Sequence, residues 1–306
     1  MRLIAVAATL LAALSPYAAL AQDESGEWQL DPYARIEAGI VLSQSSDSED
    51  ELIIVGDGGY VRGAAGVTWG DDVTTFRLEA DRIQTERFGN ATGRGHYDRD
   101  RITVSATRQL GDDWEVELRG RMYDDLVTAE SSDTDELSAA VRIEYEPVLD
   151  HRLRAQLTWR ERNYDDGQGP GGTASTGQGP RLDVEYRYRL GRYNYLNLDL
   201  RAEEINSDNP QRSFTREAVG VSYTQPITRD LRVRPAIEYR HTRFDGRIAP
   251  DGQPREDNSV VPEIELLWWP GDWRIEAEAK YIATSSNDPL RDREGYRFSL
   301  TVGYVF

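Results

Sequence analysis

Residues 295–306, Gly-Tyr-Arg-Phe-Ser-Leu-Thr-Val-Gly-Tyr-Val-Phe, decide the fold class of this 306-residue chain. A period of two is typical of a β-strand with one apolar and one polar face. An apolar edge strand in water invites pairing with other chains, whereas a closed membrane barrel turns that face to lipid and leaves no edge unpaired. The apolar positions of the stretch are Tyr296, Phe298, Leu300, Val302, Tyr304 and Phe306.

This ending resembles the C-terminal signal of bacterial outer-membrane β-barrel proteins, whose last strand alternates and finishes on Phe. The resemblance implies that Tyr304 and Phe306 act as an assembly signal. It also implies that the outer-membrane barrel assembly machinery is a partner, and that the folded chain contacts outer-membrane lipid and lipopolysaccharide. We therefore expect an integral protein of the bacterial outer membrane.

The other end of the sequence predicts a secretory signal peptide over residues 1–21. A positive charge at Arg2 precedes an apolar run, and Ala19-Leu20-Ala21 forms a small-residue cleavage site. We expect cleavage near Ala21, a short periplasmic segment over residues 22–31 and a barrel over residues 32–306. The alternative, an uncleaved helix, is disfavoured because the apolar run is short for a membrane span.

The overall composition is compatible with a barrel and argues against other classes. A net charge of -18 and a mean hydropathy of -0.64 resemble those of a soluble protein. A barrel escapes hydropathy scans, however, because only alternate residues face lipid. The sequence contains no Cys, which excludes a lipoprotein anchor, disulfides and Cys-based metal sites. The acidic excess argues against nucleic-acid binding, and we expect no cofactor.

Alternating segments recur along the whole chain and predict about fourteen strands, with 12–16 as the compatible range. Short connections near residues 70–72, 111–113, 147–150, 191–192, 226–229 and 270–272 alternate with long polar segments, such as 163–180 and 243–258. Outer-membrane barrels have short periplasmic turns and long extracellular loops. The fold class expected is therefore all-β, a closed antiparallel transmembrane β-barrel. A soluble β-sandwich, the alternative, does not require this alternation of loop lengths.

Several positions predict local detail. Pro235 and Pro262 lie inside predicted strands and should cause a bulge or a local gap in pairing, because proline donates no ladder hydrogen bond. Phe214 is out of phase with Val219 and Val221, which predicts another bulge. Tryptophans that flank the short turns are expected at the lipid interface. They are Trp69, Trp114, Trp268, Trp269 and Trp273.

The positions that alternate with the lipid face carry arginines and acidic residues, which we expect to line the lumen. One interpretation is structural, since facing Arg and Glu side chains neutralise each other. The other is a charged pore, and at this strand number a narrow channel is expected. An arginine excess near the periplasmic ends predicts a weak anion preference. The candidate lumen residues are Glu115, Glu117, Arg119, Arg121, Arg152, Arg154, Arg187, Arg189, Arg232, Arg234 and Arg274.

In architecture the chain is similar to monomeric fourteen-stranded porins and to loosely defined β-barrel porin families. That similarity implies passive diffusion of small hydrophilic solutes, anionic ones included, through a monomer or a homo-oligomer. Two alternatives stay open: the barrel component of a surface polysaccharide or lipoprotein export system, and an outer-membrane enzyme or adhesin acting through extracellular loops. An enzyme is not expected. His96 lies near Asp98 and Asp100, and His241 near Asp245, but an Asp-His dyad needs geometry as well as composition, and exposed loop histidines are ordinarily solvated. His151 is the third histidine, and the sequence has no motif for a nucleophilic serine.

Overall fold

The computed structural model describes residues 28–44, 57–88, 96–128 and 133–306. The expected signal peptide over residues 1–21 lies outside the described residues, as does the part of the expected periplasmic segment before residue 28. Among the described residues, no helix is long and apolar enough to cross a membrane.

The described residues form fourteen antiparallel strands in one closed barrel, in which each strand pairs with its neighbours in sequence and β1 pairs with β14. This confirms the predicted fold class and strand number. The strands are β1 (Gln29–Ser43), β2 (Gly58–Gly70), β3 (Thr74–Arg87), β4 (His96–Gln109), β5 (Trp114–Asp124), β6 (Thr134–Val148), β7 (His151–Tyr164), β8 (Ser175–Arg189), β9 (Tyr195–Ser207), β10 (Phe214–Pro226), β11 (Leu231–Ile248), β12 (Pro254–Trp268), β13 (Trp273–Ser286) and β14 (Arg293–Val305).

The connections alternate in length around the barrel and define its two ends. We call the end that carries the short connections 71–73, 110–113, 149–150, 190–194, 227–230 and 269–272 the turn end. The opposite loop end carries longer connections such as 165–174 and 208–213. Short 3-10 helices at Pro170–Gly172, Pro210–Arg212 and Pro289–Arg291 lie in the loop-end connections.

β14, the strand whose sequence pattern predicted the fold, closes the barrel. β14 pairs with β1 from Arg35↔Val305 to Ser43↔Arg297, and with β13 on its other side. Tyr296 and Phe298 of the apolar stripe remain about half exposed, as expected for side chains that face lipid. The backbone N–H of Phe306 donates to the carbonyl of Ala34 at 2.9 Å, so the last residue is attached to the first strand.

Two loop-end segments that the sequence predicted as loops are partly strand. β11 and β12 extend above the other strands as a hairpin, with Phe244 paired to Arg255, so the connection shrinks to residues 249–253. β8 begins at Ser175, inside a Gly-rich segment. In both cases the added residues lack the alternation of a lipid-facing strand, which is why the sequence pattern did not extend to them.

The sequence predicted a bulge or a gap in strand pairing at Pro235 and at Pro262. The structure shows a gap at each proline, and the register is the same on both sides of the gap. Pairing of β10 with β11 stops at Ser222↔Ala236 and resumes at Gln225↔Val233, opposite Pro235. Pairing of β12 with β13 has a similar gap beside Pro262. Each proline side chain points outward and is exposed.

The bulge predicted in β10 is wrong, because the pairing of β9 with β10 is continuous from Phe214↔Ile205 to Thr224↔Tyr195. Phe214 is out of phase because it points into the lumen, where it is fully buried in a cluster with Ile205 and Phe244. The alternation of the strand is therefore intact, and a large apolar side chain occupies an inward position.

The tryptophan prediction is correct at four positions and wrong at Trp269. Trp269 follows the last residue of β12, and its backbone N–H still donates to the carbonyl of Asp230 at 2.8 Å. Consecutive residues of such extended backbone point to opposite faces, so Trp268 and Trp269 do not both face outward. Trp269 Nε1 donates to Glu276 at 3.1 Å, and the guanidinium groups of Arg232 and Arg274 lie 5.0 and 5.6 Å from its ring centroid. The outward tryptophans, each nearly half exposed, are Trp69, Trp114, Trp268 and Trp273.

Candidate functional site: the charged lumen

The predicted lumen residues lie on the inner face of the barrel, since they alternate with exposed apolar side chains such as Leu153 and Leu182. On β5, Glu117 accepts hydrogen bonds from Arg119 at 2.6 and 2.9 Å. Arg142 of β6 forms ion pairs with Glu117 at 2.6 Å and with Glu115 at 2.9 Å. The structure thus brings these predicted β5 residues into one ion-pair network.

A second network joins β6, β7 and β8. Arg152 pairs with Glu185 at 2.7 Å, and Arg154 bridges Glu144 at 2.8 Å and Glu185 at 3.3 Å. Arg187 lies 3.3 Å from the same Glu185. One glutamate therefore contacts three of the predicted arginines, and the positive charge at this level is lower than the sequence suggested.

The remaining predicted arginines have different partners. Arg234 forms an ion pair with Glu265 across β11 and β12. Arg232 and Arg274 stack on Trp269. Arg189 donates to the backbone carbonyls of residues 191 and 192, so it closes a turn as well as lining the lumen.

Sequence reasoning missed a third network on β2–β4. Asp81 is buried and pairs with Arg99 at 3.1 Å, with Arg62 at 3.4 Å and with Arg101. Glu79 accepts from Tyr33 at 2.5 Å and from Arg101 at 3.3 Å. The same alternation that identified the other lumen residues places these side chains inward, so the pattern was available in the sequence.

Burial of the inward side chains increases from the turn end to the loop end. Near the turn end, the side chains of Arg187 and Arg234 are 33% and 39% exposed. Toward the loop end, those of Arg99, Arg160 and Glu203 are 2%, 5% and 3% exposed. The lumen is therefore more open toward the turn end and more tightly packed toward the loop end.

Described residues line two cavities in the lumen. The larger, of about 490 Å³, is bounded mainly by β7–β13 and includes Arg154 and Glu185 in its wall. The smaller, of about 430 Å³, is bounded by β2–β6 and includes Glu117, Arg119 and Arg121. Of the predicted lumen residues, Arg154 therefore lines the larger cavity, and Glu117, Arg119 and Arg121 line the smaller one.

One carboxylate cluster has the spacing of a cation site. Single oxygens of Glu263, Glu265 and Glu278 lie within 4.8 Å of one another. Lys280 approaches Glu263 at 3.4 Å and Glu278 at 3.3 Å, and Arg234 pairs with Glu265. Because each of these carboxylates already pairs with a basic side chain, we assign no metal to them, and the absence of a cofactor stays a prediction.

The barrel resembles solved outer-membrane proteins. In vitro folded OmpT, an outer membrane protein of Vibrio cholerae, aligns over 93% of this chain and 99% of its own, with 12% identity and a TM-score of 0.53. OmpT expressed in the outer membrane of Vibrio cholerae aligns over 92% and 99%, with 11% identity and a TM-score of 0.53. The outer membrane channel DcaP of Acinetobacter baumannii aligns over 92% and 98%, with 13% identity and a TM-score of 0.49.

No family model matches the sequence, and a search of curated proteins finds no match. At identities this low, the structural likeness concerns the fold alone. The chain has the fold of bacterial outer-membrane β-barrel proteins, as the pattern of its last strand implied.

Proposed function

We propose that this protein is an outer-membrane channel for the passive diffusion of small hydrophilic solutes, with a weak preference for anions. The observation that carries the proposal is the pair of polar-walled cavities, of about 490 and 430 Å³, inside the closed barrel. A barrel filled by apolar packing would leave no such space. The fold and the alternation of β14 support insertion in the outer membrane.

The expected preference for anions is weak because ion pairs neutralise much of the arginine charge. Arg152 and Arg154 share Glu144 and Glu185, and Arg234 pairs with Glu265. Within a narrow lumen, the low-dielectric wall reduces screening, so a small remaining excess still biases ion passage.

Conductance of the refolded protein in planar bilayers tests the proposal. We expect discrete conductance steps and, under a KCl gradient, a reversal potential that indicates anion preference. Arg152→Glu combined with Arg234→Glu should shift the preference toward cations. The control is Arg192→Glu combined with Arg229→Glu, which changes the same charge at exposed turn-end positions. Folded protein without conductance steps would contradict the proposed channel. Equal selectivity of all three proteins would contradict the proposal that these lumen arginines set the anion preference.

Cell fractionation tests the location. We expect the protein in the outer-membrane fraction, with different gel mobility before and after boiling and with Gln22 as the first residue of the mature chain. Recovery in the soluble periplasmic fraction with unchanged mobility would contradict insertion as a barrel.

A further inference from the structure

We propose that the smaller cavity, between β2 and β6, is a binding site for small multivalent oxyanions of the chemical class of inorganic phosphate. The inference rests on the proposed channel, because a solute must enter the lumen to reach the cavity. The described lining includes two glutamates, Glu79 and Glu117, and five arginines. The arginines are Arg77, Arg101, Arg119, Arg121 and Arg142.

Of the two cavities, only the smaller has more basic than acidic residues in its described lining. The described lining of the larger cavity contains five basic and five acidic residues, which balance. The two cavities have similar volumes and lie in the same lumen, so the difference between them is one of charge. An anion that enters the barrel is therefore attracted to the β2–β6 side.

The nearby carboxylates cannot neutralise this excess, because each is shared. Glu117 contacts both Arg119 and Arg142, each at 2.6 Å. Glu79 contacts Arg77 at 2.5 Å and Arg101 at 3.3 Å.

Two carboxylates just outside the cavity lining, Glu115 and Asp81, do not remove the positive excess. Glu115 adds one negative charge beside Arg142. Asp81 adds another beside Arg101, but it also pairs with the buried Arg62 and Arg99, which bring two further positive charges. Among the described residues of this network, positive charges therefore still outnumber negative ones.

The donors around the cavity suit an oxyanion better than a chloride ion. Guanidinium groups bind phosphate and carboxylate oxygens through paired N–H donors, and hydroxyls add further hydrogen bonds. The hydroxyl-bearing lining residues are Thr68, Thr75, Thr103, Ser105 and Thr107.

A matched pair of variants isolates the site. Arg119 binds Glu117 through Nε and Nη2, and Arg181, in the larger cavity, binds Asp183 in the same way at 2.8 and 2.9 Å. In both cases another arginine remains on the carboxylate, Arg142 on Glu117 and Arg201 on Asp183. Arg119→Gln and Arg181→Gln should therefore perturb the fold to a similar degree.

Calorimetric titration of refolded protein in detergent with inorganic phosphate is the experiment. We expect saturable binding by the wild type, affinity about tenfold lower for Arg119→Gln because a charged bidentate contact is lost, and affinity within about twofold of the wild type for Arg181→Gln. Mobility before and after boiling verifies that each variant is folded.

Three results would overturn the assignment: no phosphate binding by the wild type, equal binding by wild type and Arg119→Gln, or equal loss in both variants. Conductance separates this inference from the proposed channel. A protein that conducts KCl without binding phosphate retains the channel and loses the site. A protein that binds phosphate without conducting retains the site and loses the channel.

Discussion

Arg160 of β7 reaches across β8 to Glu203 of β9, with Nη1 of the arginine 2.7 Å from a carboxylate oxygen of the glutamate. Gly179 is the residue of β8 that faces Arg160 in the register. Glu203 also accepts from Arg216 of β10 at 3.0 Å, and all three charged side chains are at most 6% exposed. The ion pair between Arg160 and Glu203 therefore crosses β8 at Gly179, where β8 has no side chain to block it.

Gly179→Ala should reduce stability, because an added Cβ would lie 2.0 Å from the carbonyl oxygen of Glu204. Backbone must move to relieve that contact, at a cost of about 1–3 kcal/mol. Gly220→Ala is the control, since its Cβ would meet no atom closer than 3.7 Å. Guanidinium unfolding of refolded protein, followed by tryptophan fluorescence, measures the difference. Equal midpoints for the two variants would contradict the close approach of β8 and β9.

Glu203→Gln should be more destabilising than the glycine change. The substitution leaves Arg160 and Arg216 buried beside each other without the shared negative charge, and removing one partner of a buried ion pair costs about 3–5 kcal/mol. Glu204→Gln is the control, because residue 204 is exposed on the outer face of the same strand. The unfolding midpoint should fall for the first variant and stay near the wild-type value for the second.

Strand number and the inward or outward direction of most strand side chains were predictable, because both follow from a period of two. The inward direction of Arg152, Arg154 and Arg234 is an example. The ion-pair partner of an inward side chain was not predictable. Arg160 meets Glu203 only because the register places Gly179 between them. That register depends on how β7, β8 and β9 pair with one another, which the sequence pattern of a single strand does not reveal.

Apolar residues inside the lumen caused the clearest error. An inward phenylalanine such as Phe214 breaks the apparent sequence pattern in the same way as a bulge would. Its neighbour Phe244 packs between the guanidinium groups of Arg247 and Arg255, each 4.3 Å from the ring centroid. These contacts join β10, β11 and β12 at the loop end, and a pattern read along one strand does not contain them.

The hydrogen bonds of Asp166 predict that the stability of the loop end depends on pH. Burial alone raises the pKa of Asp166, but four hydrogen bonds to the carboxylate outweigh burial and hold the pKa well below its usual range. The donors are Ser175 Oγ at 2.6 Å, the backbone N–H groups of Gln168 and Ser175 at 3.0 Å, and Arg212 at 3.1 Å. A lowered pKa in the folded state means that the carboxylate stabilises the fold above its unfolded pKa of about 3.9. That contribution is lost as the pH falls from there toward the folded pKa.

Asp166→Asn should therefore loosen the connection between loops 165–174 and 208–213 at pH 7. The difference from the wild type should shrink below about pH 4, because the carboxylate becomes protonated in the unfolded wild type while it is still charged in the folded one. Asp251→Asn, at an exposed loop position, is the control. Thermal midpoints of the three proteins between pH 7 and pH 3 measure the effect. A difference that stays constant over this range would show that charge at residue 166 does not hold the loops together.

Phe306 predicts an effect on assembly that differs from its effect on stability. Its side chain is 72% exposed, and its contacts are a ring pairing with Tyr304 at 4.8 Å and the backbone hydrogen bond to Ala34. Deleting Phe306 should lower the amount of folded protein in the membrane severalfold, because the terminal stripe is expected to be read during insertion. Leu290→Ser is the control, since Leu290 is 90% exposed in a loop-end connection. Two measurements separate assembly from stability: the amount of heat-modifiable protein in outer-membrane fractions, and the refolding yield from denaturant. Normal refolding with a poor membrane yield supports the assembly signal. Equal membrane yields of the two variants would contradict it.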